Sequence, residues 1–321
     1  MTSEHSERPS VSVVDRIAEI AKGRTPFSVE FFPPRDEAGE AQLWRAARAF
    51  EPMGPAFVSV TYGAGGTTRD RTARIVGELA STTSLLPVAH LTAVGHSVDE
   101  LRGLIDSFAA VGVRNLLALR GDPQGGVRQE WVKHPEGLEY AVELVELIGA
   151  AGDFHVGVAS FPEGHPRAVD LDADTANLVA KLRAGAEYSI SQMFFDVDDY
   201  LRLRDRVCAA DPEQGAKPLI PGLMPITSLR SVRRMVELMD SEIPATVLDR
   251  LTRAAGDGPE EDRDAVRREG IALATEMGQR LIDEGAPSLH FCTLNFARAT
   301  SEVLANLGMI EQASPAPSIR R

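Results

Sequence analysis

The chain has 321 residues, of which 43% are hydrophobic and 25% charged, so it can bury a large core and its composition is typical of a globular protein. The formal net charge of −13 at pH 7 argues against nucleic acid as the main partner, because binding to phosphate backbones needs a basic face. The two cysteines, Cys208 and Cys292, lie far apart and indicate neither a disulfide framework nor a cysteine metal site. The polar N-terminus lacks the apolar core of a signal peptide and no apolar run could span a membrane, so we expect a cytoplasmic protein without a membrane partner.

The first predicted strand, Phe27–Phe32, carries one carboxylate, Glu30, and is followed by Pro33 and Pro34, which cannot donate to a sheet ladder. A carboxylate in an apolar strand is unfavourable unless it is paired or functional, and desolvation raises its pKa toward the neutral acid. Two interpretations stay open from this stretch alone. Glu30 is either a structural residue paired with an Arg or Lys across the core, or a catalytic acid.

Short apolar runs alternate with longer amphipathic segments along most of the chain. Each run has the length and the Val, Ile, Leu or Phe content of a buried parallel strand, and the segments between the runs show helical spacing. The predicted strands are 27–32, 56–62, 86–91, 115–119, 155–160, 188–195, 219–224 and 289–294. The predicted helices include 41–50, 70–80, 98–111, 138–148, 173–182 and 232–239.

This alternation predicts an α/β protein with a single (β/α)8 barrel rather than an open sheet. Helical patterns at 231–239 and 244–255, an acidic loop at 257–264 and a long helix to Glu284 lie between strands seven and eight, and we interpret them as an extra helical insertion. No Gly/Ser-rich or Pro-rich linker interrupts the alternation, which disfavours two domains. We expect flexible tails at 1–11 and 312–321 and a catalytic barrel domain at 12–311.

Polar residues stand near the carboxyl ends of most of the predicted strands. In a (β/α)8 barrel these ends converge on one mouth, where active sites lie, although strands also end in polar residues simply because they emerge into water. We interpret the set as a site. Its members are Glu30, Thr61, Tyr62, His90, Arg120, Gly121, Asp122, Glu163, His165, Gln192, Thr293 and Asn295.

Two loops contain glycine beside residues that suit an anionic ligand. Residues 62–68 resemble a phosphate-binding glycine loop between a strand and a helix, but a tight turn capped by Thr67 or Thr68 explains them equally well. In Arg120-Gly121-Asp122-Pro123, Gly121 allows close backbone approach, Arg120 can hold a phosphate and Asp122 can accept from a heterocycle. The alternative for the second loop is an Arg–Asp pair that makes it rigid.

A histidine and a helix face follow strand five. His165 lies between Gly164 and Pro166 on a loop that suits hydrogen bonding to a ligand, and no second His or Cys stands at metal-ligand spacing. Asp174, Asn177 and Lys181 share one face of a predicted helix, where they could hold a ribose. From the spacing alone we favour a solvated face.

No hydrolase or metalloprotease motif is present, so an organic cofactor is favoured as the source of reactivity.

Together these motifs resemble the methylenetetrahydrofolate reductase family, in its short bacterial form without the regulatory domain. The matching segments are FSVEFFPPR (27–35), FVSVTYG (57–63), AHLT (89–92), LALRGDP (117–123), FPEGHP (161–166), GAEYSISQMFFD (185–196), PGLMP (221–225) and HFCTLN (290–295). The resemblance implies an FAD-carrying barrel that reduces 5,10-methylenetetrahydrofolate to 5-methyltetrahydrofolate with NADH or NADPH by a ping-pong cycle. It also implies a homo-oligomer, either a dimer or a tetramer, that serves methionine biosynthesis.

The resemblance also implies roles for single residues. Glu30 matches the general acid that protonates folate N10, Asp122 a carboxylate close to both flavin and pterin, and Gln192 a residue that contacts folate and nicotinamide. The positions that match flavin contacts are Thr61, Tyr62, Ala64, His90, Arg120, Gly121, Asp122, Tyr140, Ala141, Phe161, His165, Ala168, Asp174, Asn177 and Lys181.

The chain departs from the family pattern at a few positions. Phe296 stands where enterobacterial relatives show Arg, so Arg298 is expected to take over the folate glutamate tail, and Ser231 occupies a substrate-contacting position that is Gln in those relatives. Phe161 replaces a common Tyr, and Ala180 a common basic residue. Two alternatives remain: another flavin or nicotinamide redox barrel with a different substrate, and a non-catalytic barrel subunit of an electron-transfer assembly.

Overall fold

The computed structural model describes residues 10–62, 66–123, 129–239, 242–256, 258 and 261–311. Its eight strands are all parallel and form a closed barrel in chain order, with β8 pairing with β1. This confirms the predicted (β/α)8 fold. The strands are β1 (Phe27–Phe31), β2 (Val58–Val60), β3 (Pro87–Thr92), β4 (Asn115–Leu119), β5 (His155–Ser160), β6 (Tyr188–Met193), β7 (Leu219–Leu223) and β8 (Leu289–Cys292).

Helices follow the strands on the outside of the barrel, and one precedes β1. They are α1 (Val13–Ile20), α2 (Glu37–Phe50), α3 (Gly66–Thr82), α4 (Val98–Ala110), α5 (Ala141–Ala150), α6 (Leu171–Arg183), α7 (Val197–Ala210), α8 (Pro212–Gly215), α9 (Leu229–Met239), α10 (Ala245–Ala255), α11 (Arg263–Asp283) and α12 (Ala297–Asn306), with a 3-10 turn at Glu51–Met53. Within the described residues no helix is long and apolar enough to cross a bilayer.

Two apolar layers set which strand residues face the barrel interior. In β1, Phe27, Val29 and Phe31 pack outward against the helices, so the alternating Ser28 and Glu30 face inward. A second cluster fills the amino-terminal half of the interior, where Phe57 and Tyr188 meet. The carboxyl half is therefore the part of the interior that can hold polar side chains.

The amino-terminal end of the barrel is closed by α1, to which sequence analysis assigned no element. Its apolar residues Val13 and Ile17 are buried against the interior cluster. The side chain of Asn115 holds the preceding segment, donating to Val11 O at 3.0 Å and accepting from Val13 N at 3.2 Å. A cover at this end directs ligands to the opposite, carboxyl-terminal mouth.

Glycine at position 157 in β5 is required by the same interior packing. A Cβ atom there would lie 2.3 Å from the ring of Tyr188, which fills the space instead.

The predicted insertion between strands seven and eight is also present, because α9, α10 and α11 share a separate cluster around Val232, Leu251 and Val266. Within this insertion, the guanidinium of Arg250 on α10 pairs with Glu276 on α11 at 2.7 Å.

Candidate active site

Glu30 points into the upper part of the barrel interior, between two imidazoles. Its Oε2 atom lies 3.5 Å from Nε2 of His290 on β8 and 3.6 Å from Nε2 of His90 on β3, and 18% of its side chain is exposed. The structural alternative of a partner Arg or Lys is wrong, since the contacting groups are histidines. Both separations are longer than an ordinary hydrogen bond.

The two histidines set the protonation of the site. Burial alone would raise the pKa of Glu30, but the contact with His290 and the fields of His90 and His290 outweigh it, so the pKa lies below its ordinary value. Burial lowers the pKa of His90 to about 4, although Glu30 opposes this shift. At neutral pH the chain by itself therefore holds a carboxylate beside a neutral His90, in contrast to the neutral acid that burial alone would give.

The position of His290 is fixed by two contacts within the barrel. A hydrogen bond of 2.8 Å joins its Nδ1 atom to Oγ of Ser28, which is fully buried on β1. Its ring stacks on Phe57, with centroids 5.6 Å apart. Sequence analysis quoted His290 in a family motif without giving it a role, because its partners lie more than 230 residues away along the chain.

A basic cluster lies at the ends of β4 and β5. The pKa of His165 is lowered to about 4 by burial and by the positive charges of Arg120, Lys181 and Arg167. The pKa of Arg120 is lowered by burial and by Arg167, with Asp122 opposing. At neutral pH His165 is uncharged, and the positive charges of Arg120, Arg167 and Lys181 that act on it form a positive site in a chain of net charge −13. Such a site suits an anionic ligand.

Lys181 on α6 belongs to this cluster and Asp174 on the same helix interacts electrostatically with it, so the favoured interpretation of a solvated helix face is wrong for both. Asp174 is 9% exposed, and burial raises its pKa while Lys181 opposes the shift. Lys181 donates to Ala159 O at 2.6 Å, and burial lowers its pKa to about 8 while Asp174 opposes the shift. Asn177, on the same helix, is exposed.

The Arg120–Asp122 loop is not held by an ion pair between its own two charges. The guanidinium of Arg120 lies over the ring of Trp131, 5.1 Å from its centroid, whereas Asp122 is exposed. Trp131 also donates from Nε1 to Gly121 O at 3.3 Å. Gly121 has a φ of +81°, a conformation that side chains rarely adopt. Sequence analysis missed Trp131 and Arg167, since neither follows a strand directly.

The other predicted flavin positions lie around the mouth without forming a single network. Tyr62 approaches His96, with 3.3 Å between Oη and Nε2, and Phe161 meets the ring of His165 edge-on at 4.7 Å. The main chain of Ala168 donates to His165 O at 2.8 Å. Thr61, Ala141 and Ala168 are half-buried, and Tyr140 is 54% exposed. Ala64 lies outside the described residues.

Of the predicted substrate positions, Glu30 and Asp122 are described above, and the remaining three are one near a strand end and two on helices. Gln192, near the end of β6, is exposed and accepts from Met193 N through Oε1 at 3.0 Å. Ser231 uses its hydroxyl within the first turn of α9, donating to Ser228 O at 2.8 Å. Arg298 is 81% exposed on α12 and pairs with Glu302 at 3.2 Å. The last two contacts tie these side chains to their own helices.

The closed barrel with a carboxylate, two imidazoles and a basic cluster at its carboxyl-terminal mouth has the form of a (β/α)8 enzyme. A family model described as methylenetetrahydrofolate reductase matches residues 14–308. The chain belongs to the methylenetetrahydrofolate reductase family, and it is an oxidoreductase.

Individual relatives agree with the family match. The chain is 36% identical to 5,10-methylenetetrahydrofolate reductase of Escherichia coli strain K12 over 294 residues, which cover 91% of this chain and 94% of the relative. It is 35% identical to methylenetetrahydrofolate reductase (NADH) 1 of Zea mays, covering 94% of this chain and 52% of that protein.

A solved structure shares the fold. An uncharacterized protein from Clostridium thermocellum that binds two copies of 5-methyl-5,6,7,8-tetrahydrofolic acid gives a TM-score of 0.59 at 12% sequence identity, covering 91% of this chain and 98% of that one. At this identity the likeness shows the barrel alone.

Proposed function

We propose that the chain reduces 5,10-methylenetetrahydrofolate to 5-methyltetrahydrofolate, with FAD as cofactor and NADH or NADPH as electron donor in a ping-pong cycle. The observation that carries this proposal is the placement of Glu30 inside the barrel, between His90 and His290, in a chain of this family. An ionisable acid inside the mouth of a barrel is suited to deliver a proton to a bound substrate.

Glu30 is the proposed general acid. Opening of the methylene bridge requires a proton at folate N10, which leaves an electrophilic iminium carbon to accept a hydride. The 18% of the Glu30 side chain that is exposed would be covered by a bound substrate, and this further loss of water favours the protonated form. Ligand binding is thus expected to raise the pKa that the two histidines lower in the chain alone.

The basic cluster fits the cofactor. The pyrophosphate of FAD carries negative charge, and the charged Arg120, Arg167 and Lys181 around a neutral His165 would present a combined positive field to it. Asp174, beside Lys181, can accept from a ribose hydroxyl. A bound flavin would supply the hydride for the substrate carbon.

The remaining proposed contacts concern folate orientation. Asp122 would accept hydrogen bonds from the amino-pyrimidine edge of the pterin, and Gln192 would contact folate and nicotinamide in turn. Both side chains are exposed near strand ends of the carboxyl mouth, where a ligand can reach them, and Gln192 would give up or share the hydrogen bond that it accepts from Met193 N. Ser231 and Arg298 would first have to leave the partners that they hold on α9 and α12.

The proposal is tested by the absorption spectrum of the purified chain under anaerobic conditions. We expect a flavin band that NADH or NADPH bleaches and that 5,10-methylenetetrahydrofolate restores, with 5-methyltetrahydrofolate as the product. A flavin band that folate fails to restore would point to a redox barrel with another substrate. A chain without any flavin band or folate turnover would contradict the proposal as a whole.

A further inference from the structure

The end of β1 is joined to β8 by an asparagine side chain rather than by the strand ladder. The ladder between these strands ends at the pair Glu30 and Cys292. Beyond it, the carboxamide of Asn295 accepts from Phe32 N through Oδ1 at 2.9 Å and donates from Nδ2 to Phe32 O at 2.9 Å. One side chain thereby replaces the two backbone hydrogen bonds that a continued parallel β8 would make with Phe32.

The sequence explains why a side chain is needed at this point. Phe32 is followed by Pro33 and Pro34, which have no N–H group, so the ladder cannot continue past Phe32. Without Asn295, both backbone groups of Phe32 would lose these partners two residues from Glu30. Partly buried backbone groups without partners are unfavourable, and the segment would gain freedom to move.

A second contact reaches Glu30 itself. The hydroxyl of Thr293 donates to the main-chain oxygen of Glu30 at 2.7 Å and accepts from Asn295 N at 3.2 Å. Thr293 and Asn295 are only 6% and 9% exposed. The turn after β8 therefore holds the backbone of β1 at Glu30 and again at Phe32.

The backbone of the turn after β8 adopts φ angles that are unfavourable for residues other than glycine. Among the described residues, positive φ outside glycine occurs at Leu294 (50°) and Asn295 (63°). Such a conformation persists only when surrounding contacts fix it, and Gln42 of α2 adds one by donating to Asn295 O at 2.8 Å. Glycine would relieve the φ angle at position 295 but would remove the carboxamide that binds Phe32.

We infer that Asn295 is a positioning residue that sets where the carboxyl group of Glu30 lies relative to a bound substrate. It does not touch the reacting atoms and acts through the backbone of β1. This inference rests on the proposed role of Glu30 as general acid. A proton donor must sit within hydrogen-bond reach of its acceptor, so a small displacement of β1 is enough to lower the rate of the folate step.

The test uses Asn295→Ala and Asn295→Gly in the flavin-loaded enzyme. Asn306→Ala serves as the matched control, because Asn306 is an exposed amide at the far end of α12, the helix that follows the turn containing Asn295. Asn295→Gly keeps the test informative if Asn295→Ala does not fold, since glycine relieves the positive φ. We expect the folate-dependent reoxidation of flavin to slow about 10- to 100-fold in both variants, with NADH-dependent flavin reduction unchanged.

Two further readouts separate positioning from general loosening. Amide hydrogen exchange of the peptide spanning 27–33 should accelerate in the Asn295 variants and not in the Asn306→Ala control. This measurement needs no bound cofactor. In a Glu30→Gln background, Asn295→Ala should slow the folate step little further, because the residue through which it acts is already gone. Faster exchange with an unchanged folate rate, or full additivity with Glu30→Gln, would overturn the inference. If Glu30→Gln alone kept the wild-type folate rate, the proposed acid role would fail instead.

Discussion

The Nε2 atom of His290 lies 3.5 Å from Oε2 of Glu30, while Nδ1 of the same ring bonds to Ser28 at 2.8 Å. Ser28 and Glu30 are alternate residues of one strand, so β1 both anchors the imidazole and presents the carboxyl group to it. The contact with His290 favours the carboxylate form of Glu30. Because Ser28 orients His290, we expect Ser28 to influence the pKa of Glu30 through that ring.

Replacing Ser28 by Ala should raise the pKa of Glu30. Without the hydroxyl, His290 loses the bond that orients it, its contact with Glu30 weakens, and burial then has the larger effect on the carboxyl group. With Glu30 as the proposed general acid, the folate step would need its protonated form, so the rate should stay high up to a higher pH in Ser28→Ala than in the wild type. The buried Ser288, just before β8, provides the control variant Ser288→Ala. A profile that moves to lower pH would show that His290 does not hold the carboxylate.

Acid should destabilise the chain between pH 6.5 and about 4, because His90 and His165 have pKa values near 4 when folded. In this window the unfolded chain binds protons at these residues and the folded chain does not, so the free energy of unfolding falls as the pH falls. Each pKa unit is worth about 1.4 kcal/mol, and buried His90 therefore accounts for roughly 3 kcal/mol, with a smaller share from half-buried His165.

Urea unfolding at several pH values, using the chain without added ligand, measures this effect. We expect His90→Gln to show a shallower loss of stability between pH 6.5 and 4 than the wild-type chain. His134→Gln, on the β4–α5 connection, is the control. An unchanged slope in His90→Gln would mean that His90 is protonated in the folded chain, contrary to its burial.

Removing the charge of Lys181 should weaken FAD binding. Lys181 stands within a cluster of basic groups, and a charge-assisted contact to an anion contributes on the order of 1.5–3 kcal/mol, so Lys181→Met is expected to lower the affinity about tenfold or more. Because its pKa is about 8, the wild-type affinity should also decline above pH 8, as the ammonium loses its proton.

Fluorescence titration of the flavin-free chain with FAD provides the measurement. The exposed Lys133 gives the matched control, Lys133→Met, which should bind FAD as the wild type does. Equal affinities in Lys181→Met and Lys133→Met would place the anion of the cofactor elsewhere.

Most strands could be predicted because a buried parallel strand is a continuous apolar run between turn residues. The bounds of β4 and β5 match the predicted 115–119 and 155–160. The assigned β2 is shorter than the predicted 56–62, although Ala56 and Thr61 still donate to Phe27 O and Phe31 O of β1. Helix α1 was not identified, although its apolar residues recur at helical spacing, because it is only eight residues long and its burial depends on the barrel end against which it packs.

The site was predictable where one residue type stands out locally and not where contacts are long-range. Glu30 was identified because a carboxylate is unusual within an apolar strand. Its contact with His290 joins positions 260 residues apart, which no local pattern reveals. The burial of Asp174 and the partial burial of Lys181 were missed because helical spacing shows which residues share a face but not what covers that face.

The most direct test of the account is the rate at which 5,10-methylenetetrahydrofolate reoxidises prereduced flavin in Glu30→Gln, measured by anaerobic stopped-flow absorbance beside the wild type. Glutamine keeps the size of the side chain, but its carboxamide is not acidic and cannot act as a proton donor to folate N10. We predict that reduction by NADH proceeds normally while reoxidation by folate slows by about 10²- to 10⁴-fold, the usual contribution of a general acid. Reoxidation at the wild-type rate would contradict the role given to Glu30.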